Sequence, residues 1–188
     1  TPLQAFRAIA GASLLQLQMN ALGVTLDDPE FVHQMRVALR RLRSALRCFR
    51  AMLPEGFEAA VVPPLRALAR QLGPARDWDV LATEIVAPVS HAFPGDTRLA
   101  ALAAAVELQR RQAHTELQQA LASRALALAL LDFTARLLRA PEPPAASSLP
   151  AFAAHRLDRL RRKALDLTQS AQDMDPARLH ALRIGVKR

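Results

Sequence analysis

Residues 28–41 read DPEFVHQMRVALRR, and residues 175–188 read DPARLHALRIGVKR. Aligned without a gap, they share Asp, Pro, His, Arg and the closing Arg. Most other positions are conservative pairs: Val32 with Leu179, Met35 with Leu182, Val37 with Ile184, Leu39 with Val186, Arg40 with Lys187. Asp followed by Pro is a helix start, because the carboxylate caps orphan N–H groups and proline fits the first helical position. Both copies therefore open a helix, and each follows a stretch of helical apolar spacing. A duplicated unit of about half the chain predicts two similar helical bundles related by a pseudo-two-fold axis.

Successive helical residues are rotated by about 100°, which puts His33, Arg36, Arg40, Arg43 and Arg47 within about 80° of one another. Met35, Leu39, Leu42, Leu46 and Phe49 fill an adjacent face, so the helix carries an apolar stripe beside a cationic one. Arg41 lies away from the cationic stripe, toward a neighbouring helix or solvent. No acid occurs between Glu30 and Glu55 to relieve the repulsion. Like charges one turn apart cost a few tenths of a kcal/mol per pair, ~0.2–0.5. His180, Arg183 and Lys187 repeat the first three positions at the same angles, and Arg188 matches Arg41. A row of arginines suits a flexible chain of phosphates, because each guanidinium can make charge-assisted, often bidentate bonds to phosphate oxygens.

The rest of the chain is consistent with an all-α protein. Of its 188 residues, 51% are hydrophobic and only 4% aromatic, and the formal charge is +8. Ala, Leu and Arg dominate, all good helix formers. No period-two alternation marks a strand, while apolar spacings of three and four recur. Helices are expected at about 3–22, 29–53, 58–72, 98–122, 124–139 and 151–170, with a last one from about 177. GPAR (73–76) reads as a turn, with Asp77 capping a further helix that fades near 88–91. APEPPAASSLP (140–150) reads as a linker. The first bundle then covers about 1–91 and the second about 97–188. A helix that stops in mid-pattern at Arg188 implies that the second bundle is truncated.

The strings DDPEFVHQMRVALRRLRSALRCF, LARQLGPARDWDVL and LHALRIGVKR resemble, in that order, the CHAD family, the conserved histidine α-helical domain. The resemblance spans almost the whole chain. It implies a single domain of two four-helix bundles with basic helices facing a shared surface or pore. It also implies non-catalytic binding of inorganic polyphosphate and association with polyphosphate granules in the cytoplasm. Carried over by motif, the polyanion-contacting positions are His33, Arg36, Arg40, Arg43, Arg47, His180, Arg183 and Lys187, with Arg41 and Arg188 matching at less favourable angles. The family's usual continuation into Leu-Arg-Tyr is missing after Arg188, and the β-rich triphosphate-tunnel domain often linked to the family has no counterpart here.

Two further clusters have helical-turn spacing. Arg66 and Arg70 could widen the first basic face, and His155, Arg159, Arg162 and Lys163 could extend the second. Arg76, Asp77 and Asp79 read as a capping and ion-pairing group rather than a metal or acid–base pair, and His91 and His114 as surface residues. No phosphate-binding glycine loop, nucleophile elbow or zinc motif occurs, so no enzyme, metal or cofactor is expected. The single Cys48 excludes an internal disulfide and fits a reducing compartment. No signal peptide or membrane-spanning stretch stands out; ALALALLDF (125–133) is too short. Binding to nucleic-acid backbones is the alternative, although the basic faces lack the aromatics that stack single-stranded bases. A third reading makes His33 or His180 a phosphoryl acceptor.

Overall fold

The computed structural model describes residues 1–26, 28–142, 148–169 and 175–186. Among these there is no strand. The helices are α1 (Pro2–Gly23), α2 (Pro29–Phe49), α3 (Phe57–Val80), α4 (Ala87–Ala92), α5 (Thr97–Leu121), α6 (Arg124–Arg139), α7 (Leu149–Gln169) and α8 (Pro176–Val186). Side-chain caps set several starts, that of Asp28 as expected from sequence. Asp28 accepts from the Glu30 N–H at 2.8 Å, Asp96 from Arg98 and Leu99, and Ser123 from Leu126. Gly56 precedes α3 at φ 75°, a backbone conformation that glycine adopts without penalty.

α1 and α2 form a long antiparallel hairpin, and α3 packs on α2 along one side and on α5 and α6 along the other. One core joins them, from Leu3, Phe6 and Leu17 of α1 through Met35 and Leu42 of α2 to Leu117 and Phe133. A run of aromatic contacts crosses one end of this core. Phe133 meets Phe57, Phe57 meets Phe6, and Phe6 meets Phe49, each with ring centroids about 6 Å apart. Phe49 in turn stacks on Phe152 at 5.2 Å, which seats the start of α7 at the end of α2. Arg7 is spent on structure. It donates to the carbonyls of Leu137, Leu138 and Ala140, where α6 ends with unbonded acceptors.

Three sequence expectations are corrected. GPAR is no turn: α3 runs unbroken through Gly73 and Pro74 to Val80. Pro74 has a φ suited to a helix and forfeits one N–H bond, while Leu72, Ala75 and Asp79 keep a single buried face across it. Asp77 is consequently mid-helix and caps nothing. The chain leaves α3 through a π-helical segment, Leu81–Val86, within the stretch expected to be helical up to about 88–91. Secondly, His114 is not a surface residue; it is 7% exposed and bonded to buried Asp79. Thirdly, Pro2–Leu26 does reach the length and mean hydropathy (1.2) of a membrane-crossing helix. In the fold its Leu3, Phe6, Leu14 and Leu17 are packed into the bundle core.

The α1–α2 hairpin also has a tight glycine. A Cβ on Gly23 would lie 2.3 Å from the Phe31 ring, whereas one on Gly11 would meet nothing within 4 Å. Gly23→Ala is therefore expected to lower the melting temperature, at an overpacking cost of about 1–3 kcal/mol. Gly11→Ala should raise it slightly, by up to ~1 kcal/mol of helix propensity. Thermal unfolding followed by circular dichroism separates the two.

Candidate polyanion-binding groove

The cationic stripe of α2 lies where its spacing puts it. Val32, Met35, Leu39, Leu42 and Leu46 are buried against α1 and α3, which leaves Arg36, Arg40, Arg43 and Arg47 exposed and His33 half-buried at the row's start. Fourteen residues separate His33 from Arg47, a rise of about 21 Å. The row forms one wall of a groove between α2 and α3. One lobe, about 670 Å³, holds the row from His33 to Arg47 against Ala69, Leu72 and Val80. A second lobe, about 520 Å³, shares Arg43 and Arg47 and continues to Arg50 and Arg66.

The α3 wall is built to let the arginines lie down. Ala59, Val62, Ala69 and Gly73 recur at helical-turn spacing and leave room between the helices. A Cβ on Gly73 would come 3.8 Å from an Arg36 guanidinium nitrogen, so Arg36 passes directly over this glycine. Its Nη1 points at the Leu72 carbonyl at 3.5 Å. Among the described residues, no carboxylate pairs with Arg36, Arg40, Arg43 or Arg47. Acids occur only toward the two ends. Glu58 binds Arg50 at 2.8 Å, Glu84 binds Arg76 at 3.0 Å, and Asp77 lines the first lobe. The stretch from Arg36 to Arg47 thus keeps four guanidinium groups that no carboxylate neutralises, with only two long contacts to neutral oxygens, Arg36 to the Leu72 carbonyl at 3.5 Å and Arg47 to Ser44 Oγ at 3.4 Å.

The other candidate residues divide. Arg66 joins the groove, while Arg70 is exposed on α3 outside its lining. Arg41 turns toward α1 and donates to Gln16 Oε1 at 3.1 Å. His180 and Arg183 are exposed on α8, which packs on α7 and contributes no described residue to either lobe. Lys187 and Arg188 lie outside the described residues. His155, Arg159, Arg162 and Lys163 come together on α7 around a separate cavity of about 500 Å³. Two arginines that the sequence pattern left out of the site, Arg50 and Arg76, belong to the groove. Among the described residues, no three His, Cys, Asp or Glu side chains converge as a metal site would require.

Behind the groove, α3 is clamped to α5. Asp79 is fully buried, and its Oδ1 accepts from Arg110 Nε and meets His114 Nε2, both at 2.8 Å. Burial raises the carboxyl's pKa, but the hydrogen bonds and charges of His114 and Arg110 outweigh it, and the pKa ends below 3.8. The clamp sits one turn beyond Arg76 and next to Val80, so it fixes the end of α3 that closes the first lobe.

The CHAD domain pattern matches residues 8–188. The chain belongs to the CHAD family. The crystal structure of the CHAD domain from the plant Ricinus communis superposes with a TM-score of 0.78 at 32% identity, covering 100% of this chain. This CHAD protein spans 62% of the length of that plant chain. PptA from Streptomyces chartreusis shares the fold, with a TM-score of 0.66 at 16% identity over 98% of this chain and 71% of its own. No curated protein shows significant similarity to it.

Proposed function

We propose that this CHAD protein binds inorganic polyphosphate without turning it over, along the α2–α3 groove. The observation that carries the proposal is the run Arg36, Arg40, Arg43 and Arg47, exposed in one groove and unpaired with any carboxylate among the described residues. Holding these charges together is unfavourable for the free protein, and a linear polyanion relieves the repulsion. Membership of the CHAD family supports the same reading. The apolar part of the groove is Val, Leu, Ala and Pro63 with no aromatic ring, so it offers no platform for stacked bases. Association with polyphosphate granules in the cytoplasm belongs to this proposal, and a fluorescent fusion that fails to follow polyphosphate in cells would remove it.

Calorimetric titration with long-chain polyphosphate across a salt series tests the binding. If five cations make phosphate contacts, each contributes about 0.7 to the slope of log K against log salt, by analogy with single-stranded nucleic acid. Affinity should then fall roughly 100-fold between about 50 and 200 mM salt. At a free ligand concentration ~100 times Kd, stabilisation is about 2.7 kcal/mol. That corresponds to a rise of roughly 5–10 °C in Tm for a chain of this size. A salt slope near zero with no thermal shift would sink the proposal. Displacement of polyphosphate by short RNA or DNA at equal phosphate concentration would turn it toward nucleic acid, and release of orthophosphate would turn it toward an enzyme.

A further inference from the structure

The α7 cluster sits apart from the α2–α3 groove but within reach of its end. Arg156 Nη2 donates to the Arg47 carbonyl at 3.2 Å, and Phe152 stacks on Phe49. The last cation of the α2 row is therefore in contact with the residue next to His155. Beyond this contact, His155, Arg159, Arg162 and Lys163 are exposed around one cavity of about 500 Å³. Their spacing puts them within about 100° on α7, an arc that also takes in Phe152 one turn earlier and adjoins Arg156. Asp158 takes up Arg161 at 3.2 Å and Arg162 at 2.8 Å, and Asp166 lines the cavity's far side. No carboxylate pairs with Arg159 or Lys163 among the described residues.

The two halves of the duplication are thus built differently. In the first, α1 carries a single arginine, Arg7, which is committed to the end of α6, and the cations facing the motif helix come from α3. In the second, the helix paired with the motif helix is itself basic. We infer that α7 holds a second phosphate subsite, which a long polyphosphate chain reaches by passing the end of α2 at Arg47. This inference rests on the polyphosphate-binding reading above. Its consequence is discrimination by length. A chain that only fills the α2–α3 groove gains nothing from α7, whereas a longer one binds both subsites as one ligand, with an avidity gain on the order of 10²-fold or more.

The test compares tripolyphosphate with long-chain polyphosphate on the intact protein and on the triple variant Arg159→Gln, Arg162→Gln, Lys163→Gln. All three side chains are exposed, so the fold should persist, and circular dichroism checks it. The triple variant should bind long chains at least ~10-fold more weakly. Its salt slope for long chains should be smaller by about 2, three contacts at ~0.7 each. Its tripolyphosphate affinity in the α2–α3 groove should be unchanged. Wild-type affinity and slope for long chains in the triple variant would overturn the second subsite. Equal losses for both ligands would overturn the length discrimination. If reversing Arg36 and Arg40 also leaves both ligands bound as before, the polyphosphate reading itself has failed.

Discussion

Arg36→Glu with Arg40→Glu is expected to weaken polyphosphate binding by about 10²- to 10⁴-fold. The figure follows from losing two charge-assisted contacts worth ~1.5–3 kcal/mol each, at 1.4 kcal/mol per tenfold. Replacing attraction by repulsion in the middle of the row adds to it. Stability should not suffer. Both side chains are exposed and neither is in an ion pair, and the one protein contact of Arg36, to the Leu72 carbonyl, is long at 3.5 Å. Removing two positive charges from a self-repelling row should even raise Tm slightly. The control is Arg41→Glu with Arg124→Glu, which changes net charge equally at exposed positions outside the groove. If the two double variants lose affinity equally, the protein binds polyanions through its overall charge and the groove has no special part. If only the first pair does, the row is the site.

The groove was half legible in the sequence, for a physical reason. α2 obeys local rules throughout: an Asp-Pro start, a regular apolar stripe and a cationic stripe one face away. Periodicity alone therefore places His33 to Arg47 on one exposed face, and the fold keeps them there. The α3 wall depends on continuity across Gly73 and Pro74, two residues whose local preferences favour a break. Reading a turn there divides the series Arg66, Ala69, Gly73, Arg76 and Val80 between two helices and hides its common face. Packing decides otherwise, because Leu72, Ala75 and Asp79 must be buried together on one side. The Asp79–Arg110–His114 clamp was invisible for a different reason. Its members are separated by 31 and 35 residues, and nothing in their local spacing signals a contact. The fate of the second motif also lay beyond local rules, since α8 packs on α7 and none of its described residues lines the groove.

That clamp carries the largest stability prediction. Asp79→Ala leaves the Arg110 guanidinium, 8% exposed, and the His114 ring, 9% exposed, without the carboxylate that both contact. Removing one partner of a buried ion pair costs about 3–5 kcal/mol. For a chain of this length, 1 kcal/mol moves Tm by about 2–4 °C, so a fall of roughly 6–20 °C is expected. Glu107, at 3.4 Å from Arg110, is more exposed and further away, and it offsets only part of the loss. Asp77→Ala, two residues earlier and exposed, should change stability by no more than ~0.5 kcal/mol. The pH dependence identifies the cause. The folded-state pKa of Asp79 lies below its unfolded value of 3.8, so its contribution is present in full above that pH. It is lost as pH falls through the folded-state value. The Tm gap between wild type and Asp79→Ala should therefore narrow below about pH 4. A double-mutant cycle with His114→Ala should show strong non-additivity, about 0.5–3 kcal/mol, because both residues meet at one carboxylate oxygen. A Tm shift below ~2 °C for Asp79→Ala, or a gap that ignores acid, would mean that α5 is held to α3 by its apolar contacts alone.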